Sequence, residues 1–168
     1  MRRAFTLIEL MISISILAII MIFLYKSYAT MNRSNRFYKQ KLQLIKDEEI
    51  KKKILYIDFL TSFGNSIKIL NQEPNSDVVF LQTKNSMHKR YNPYVAYIFK
   101  NHKLYRLESL KKFTTYPLVQ NSVFSFEVLG DCEIFRVYKS KKTKTNSYLI
   151  DAKFKNTQEI ILKINPLD

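Results

Sequence analysis

Met1-Arg2-Arg3-Ala4-Phe5-Thr6-Leu7-Ile8-Glu9-Leu10 opens the chain, and the apolar run that begins at Phe5 continues to about Tyr25. Phe5 to Tyr25 is twenty-one residues with Glu9 as its one formal charge. As a helix that stretch is about 30 Å long, the thickness of a bilayer's hydrocarbon core. A carboxylate in such a span costs about 2.5–3.5 kcal/mol near the centre and less near the end. An unpaired acid is a poor component of a plain anchor, so Glu9 asks for a partner. A cut between Ala4 and Phe5 supplies one. The new α-amine lies one helical turn from Glu9, within the protomer at i, i+4 or across to a neighbour in a helical bundle. Two unit charges about 4 Å apart attract by about 4 kcal/mol at an effective dielectric of about 20. That attraction offsets the insertion cost and favours one axial register between neighbours.

The segment Arg3-Ala4-Phe5-Thr6-Leu7-Ile8-Glu9-Leu10 resembles the leader junction of type IV pilins and type II secretion pseudopilins. The resemblance implies cleavage by prepilin peptidase between Ala4 and Phe5, N-methylation of Phe5, and a filament-register role for Glu9. Ala4 stands where that family usually has glycine. A secretory signal peptide is one alternative, with Ser27-Tyr28-Ala29 as a small-x-small cleavage site, but the apolar run is long for one and Glu9 interrupts it. An uncleaved signal anchor is another. Lys26, Arg33, Arg36, Lys39 and Lys41 follow the span, and a charge count alone would hold that side in the cytoplasm. The leader overrides the count. It predicts a single-pass protein of the inner (cell) membrane whose C-terminal domain is periplasmic or otherwise extracytoplasmic.

Beyond the span the helix is expected to continue, because no Pro or Gly interrupts Lys26 to Phe63. Ile50, Ile54, Ile57, Leu60, Phe63 and Ile67 recur at helical spacing and make one stripe. Gly64-Asn65 is the expected stop. After Pro74 the period becomes two. Strands are expected at Val78 to Gln82, Tyr94 to Lys100, Lys103 to Ser109, Ser122 to Leu129, Glu133 to Lys139, Ser147 to Lys155 and Gln158 to Ile164. Asn101-His102, Gly130-Asp131 and Asn156-Thr157 read as turns. The domains are then 1–4 leader, 5–25 transmembrane helix, 26–64 amphipathic continuation and 65–168 antiparallel β-rich domain. The fold class is α+β, a long N-terminal helix packed on an antiparallel sheet, pilin-like.

Three pieces resemble the J-type minor pseudopilins of type II secretion: Ile54-Leu55-Tyr56-Ile57-Asp58-Phe59-Leu60, then Val95-Ala96-Tyr97-Ile98-Phe99 with Leu104-Tyr105-Arg106, then Ser122 to Leu129. W-type minor pilins share them, so both subtypes stay open. The J-type resemblance implies a place at the tip of a short filament with I-type and K-type partners, priming assembly of the major pseudopilin. The alternative is a minor pilin of a type IV or transformation pilus that meets DNA or surfaces through its basic domain.

Composition limits what else the chain does. The formal net charge is +14, and with 28 basic against 14 acidic residues the expected partners are nucleic acid, anionic lipid or an acidic neighbour. The candidate anion or DNA contacts are Lys139, Lys141, Lys142, Lys144 and Arg90, with Lys89-Arg90-Tyr91 and Lys111-Lys112-Phe113 as basic–aromatic pairs. A solvated hairpin loop is the plain reading of Lys139 to Lys144. No cofactor, metal or catalytic residue is expected. His88 and His102 stand apart near turns, no Cys/His cluster has metal spacing, and two glycines do not build a phosphate loop. Asp58 reads as a partner within helix–sheet packing rather than a functional acid. Cys132, the single cysteine, reads as a small buried hydrophobe, with an intermolecular bond as the alternative.

Overall fold

A computed structural model describes residues 6–118, 123–140 and 146–167. Helix α1 spans Leu7–Leu60. It is followed by β1 (Lys68–Glu73), β2 (Ser76–Gln82), β3 (Tyr94–Lys100), β4 (Lys103–Ser109), β5 (Ser125–Lys139), β6 (Tyr148–Phe154) and β7 (Glu159–Ile164). The strands form one seven-stranded sheet in chain order. The chain divides into two compact units, Met1–Asp47 and Glu48–Asp168. The second holds the sheet and the last turns of the helix, and it is the expected α+β arrangement.

α1 ends three residues before Phe63, the last helical position expected. The Thr61 hydroxyl donates back to the Ile57 carbonyl at 2.8 Å and the Ser62 hydroxyl to the Phe59 carbonyl at 2.7 Å. These side chains satisfy carbonyls at the helix end and release the chain into a bridge between Ser62 and Thr83. The buried helix face also differs from the expected stripe. It consists of Leu55, Asp58 and Phe59, while Ile50 is exposed and Ile54, Ile57 and Leu60 are half-buried. Leu55, Asp58, Phe59 and Ser62 stand at i, i+3, i+4 and i+7, a regular helical face that has an acid at its centre.

Local turn chemistry sets the hairpins. Asn101 and His102 both take positive φ, 52° and 56°, as a two-residue turn of matching twist requires. Asn156, at φ 61°, opens the β6–β7 turn. Two corrections concern strands. β1 falls where no strand was expected, pairing Lys68 through Asn71 with Phe80 through Asp77 of β2. Gly130-Asp131 is no hairpin turn but the middle of the continuous strand β5. Gly130 lies at φ 132°, and the register with β4 steps from Gly130 to Val128 while the partner moves from Leu104 to Tyr105. The extra residue kinks the strand without reversing it. Beyond the kink β5 pairs with β6, and Phe135 forms one parallel bridge to Ser76 of β2.

Alternation sorts the core onto two faces. Val79, Leu81, Val95, Tyr97, Leu104, Phe135 and Ile150 pack with Leu55 and Phe59 of the helix. Val78, Phe80, Ala96, Ile98 and Leu107 point the other way and are covered by Phe113 from the β4–β5 connection.

Candidate functional site

At its start α1 has a capping box in the sequence Thr6-Leu7-Ile8-Glu9. The Thr6 backbone N–H and hydroxyl donate to Glu9 Oε2 at 2.9 and 2.8 Å, and the Glu9 N–H donates to Thr6 Oγ1 at 3.4 Å. Among the described residues Glu9 Oε1 accepts no hydrogen bond. The other polar groups of the apolar stretch are satisfied within the helix, Ser13 Oγ to the Glu9 carbonyl and Ser15 Oγ to the Met11 carbonyl, both at 2.8 Å. That self-sufficiency is what a lipid environment demands of a helix. Leu7 to Tyr25 expose their large apolar side chains, and this helix is long and apolar enough to cross a membrane.

The second polar feature lies inside the domain. Asp58, on the sheet-facing side of α1, is fully buried, as are Arg106 and Glu108 on β4. Arg106 grips Asp58 with two bonds, Nε to Oδ2 at 2.6 Å and Nη2 to Oδ1 at 3.1 Å, and gives Nη1 to Glu108 Oε2 at 2.9 Å. Tyr97 donates its phenol to Asp58 Oδ2 at 2.5 Å, and Asn85 its amide to Oδ1 at 2.6 Å. Burial opposes the Arg106 charge, but the two carboxylates hold it above the ordinary guanidinium range. Burial would raise Glu108, but donors from Ser86, Arg106 and the Met87 N–H outweigh it and hold the acid low. Tyr97 is pushed well up, first by burial and then by the Asp58 carboxylate. Each charge is met by several donors or acceptors, the condition under which buried ions are tolerated. Asp58 is thus the packing partner expected of it, bonded from three different strands or loops.

The prokaryotic N-terminal methylation motif matches residues 1–25. Over that stretch the chain is type IV pilin-like. The motif implies processing by prepilin peptidase, and the likeness it carries is to a structural protein rather than an enzyme. Its N-terminal hydrophobic helix is consistent with a membrane-anchored pilin whose domain is extracytoplasmic. No curated protein and no solved structure matches the chain.

In this pilin-like protein the other sequence candidates scatter. Ala4, Phe5, Lys141, Lys142 and Lys144 lie outside the described residues. Lys139 is exposed and stands 5.8 Å over the Tyr148 ring. Arg90 is spent inside the fold, donating to the Glu108 carbonyl and, at 2.8 Å, to Ser125 Oγ. His88 approaches Glu127 at 3.7 Å, and exposed His102 stands edge-on to Phe99. Cys132 is buried, and burial pushes its thiol up to about 11. Sequence reasoning missed the Asp58–Arg106–Glu108 network. Alternation on β4 placed Leu104, Arg106 and Glu108 on one face, and that was the available signal.

Proposed function

We propose that this pilin-like protein is a minor pseudopilin that helps initiate or cap a short periplasmic pseudopilus in a type II secretion-like system. Prepilin peptidase cuts between Ala4 and Phe5, Phe5 is N-methylated, and Glu9 sets the axial register against the major pseudopilin and I-type and K-type subunits. The capping box carries this reading. It fixes the carboxylate at the helix start through Oε2 and leaves Oε1 for the cationic chain end of a neighbour. The domain division proposed with it is 1–4 leader, 5–25 membrane span, 26–64 helix continuation and 65–168 sheet domain. Protein extracted from membranes is expected to have the intact mass of a chain beginning at methylated Phe5, and Glu9→Ala to be processed but left out of filaments. A mass that retains Met1, or normal assembly of Glu9→Ala, overturns the proposal.

A second reading is favoured by the net charge of +14, which suits a subunit of a pilus that meets DNA. Deleting the gene and assaying protein export beside transformation separates the two. Loss of export alone supports the first reading, and loss of transformation alone supports the second.

A further inference from the structure

Two connections leave the sheet at the same end, 83–93 between β2 and β3 and 110–118 after β4, since Tyr94 at the start of β3 pairs with Ser109 at the end of β4. They carry Lys84, His88, Lys89, Arg90, Lys111 and Lys112 and not one carboxylate. Among the described residues Lys84, Lys89, Lys111 and Lys112 form no ion pair. The acids in contact with these loops are Asp58 and Glu108, which are buried, and Glu127, which faces His88. The cationic surface at this end is therefore uncompensated.

An aromatic ring follows Lys89 and Arg90 in the first of these connections. Tyr91 is 88 % exposed, the most exposed of the large hydrophobic side chains among the described residues. The loop that presents it is fixed from within. Ser86 Oγ donates to Glu108 Oε1 at 2.6 Å and accepts from the N–H groups of His88 and Arg90 at 3.2 and 2.7 Å. The Met87 N–H donates to Glu108 Oε2 at 3.0 Å, and the Arg90 guanidinium clamps the Glu108 carbonyl and Ser125. Lys89 and Asn92, either side of the Arg90-Tyr91 pair, take positive φ of 57° and 43°. A buried carboxylate and two left-handed residues thus hold a ring out in water, where it contributes nothing to the core. Acidic protein would account for the lysines, and so would duplex nucleic acid, but the bases of a duplex are stacked on one another and offer no face to a ring presented on a fixed loop. Unpaired bases account for both, because a single strand offers phosphates and stacking faces together.

We propose that this end of the sheet binds single-stranded nucleic acid, with Tyr91 stacked on an unpaired base and Lys89, Lys111 and Lys112 neutralising backbone phosphates. The site rests on the second reading above, that the basic domain meets nucleic acid, and names the surface and strand state. It differs from the surface first expected, in that Arg90 serves as the buttress of the loop and its neighbours make the contacts.

The test uses full-length protein in nonionic detergent and a fluorescein-labelled oligothymidylate followed by anisotropy, with a duplex of equal length and inorganic polyphosphate as competitors. The single strand is expected to bind more tightly than the duplex. Tyr91→Ala is expected to weaken it about fivefold or more, while Tyr91→Phe keeps it and polyphosphate competition for either variant is unchanged. Lys111→Ala with Lys112→Ala is expected to flatten the slope of log affinity against log salt by about 1.4. All three positions are on exposed loop surface, so these variants fold. Equal binding of single strand and duplex, unaffected by Tyr91→Ala, overturns this site and leaves the nucleic-acid reading to lysines elsewhere. No salt-sensitive retention of either nucleic acid overturns both.

Discussion

Asp58 shows how a single residue ties the helix to the sheet. Its two oxygens receive Arg106, Tyr97 and Asn85, so truncation leaves the buried guanidinium with Glu108 as its one remaining carboxylate partner and strips the Tyr97 and Asn85 donors of their acceptor. Asp58→Ala is expected to cost about 3–5 kcal/mol, the penalty of breaking a buried ion pair from one side, read from the denaturant midpoint. The same cluster predicts the pH profile of that midpoint. Glu108 is held low in the folded state, so its contribution is complete above the ordinary carboxylate range and is lost as pH falls through the folded value. Tyr97 is held high, so the unfolded chain ionises first near about pH 10, and stability falls as pH rises beyond it. Glu108→Gln is expected to flatten the acid limb and Tyr97→Phe the alkaline limb. A profile unchanged by both variants would contradict the network.

At the scale of elements the instructive case is β5. Its two halves were both legible as period-two runs, Ser122 to Leu129 and Glu133 to Lys139, but the glycine between them looked like a reversal. Whether Gly130-Asp131 turns or kinks depends on β4, which lies across the sheet and keeps pairing through Asp131 to Lys103. Gly130→Ala is expected to destabilise the domain by about 1–3 kcal/mol, because a side chain at φ 132° is strained and its Cβ would lie 3.0 Å from Lys51 Nζ. That contact also displaces Lys51 from the Phe154 ring, 4.7 Å away, and a chevron plot measures the sum. By contrast the β3–β4 hairpin was readable to its ends, since Asn101-His102 and the alternation of its arms are local. β1 was not readable, because Lys68 to Glu73 has no two-residue alternation of its own and takes its identity from β2. The helix face was missed for a related reason. Asp58 sits in the centre of the true face, and the acid belongs there only because Arg106, forty-eight residues away, neutralises it.

The whole molecule is two units with different demands on their surroundings. The first, Met1–Asp47, exposes its apolar side chains from Leu7 through Leu24 and carries the methylation motif. The second, Glu48–Asp168, contains both faces of the core, the Asp58 network and the basic loop surface. The last turns of α1 therefore belong to the domain, and cutting at the apparent helix–sheet boundary would be an error. A chain starting at Glu48 retains Leu55, Asp58 and Phe59 and is expected to be soluble and to melt cooperatively. A chain starting at Gly64 loses two buried apolar side chains, each contributing about 1.5–3 kcal/mol, together with the anion opposite Arg106. Against a total of about 5–15 kcal/mol for a domain of ordinary stability, those losses remove most of the margin. The shorter chain is expected to show no near-ultraviolet dichroism and no cooperative transition. Cooperative melting of the Gly64 chain would show that the sheet stands without the helix, and that the buried Asp58–Arg106 pair is dispensable to it.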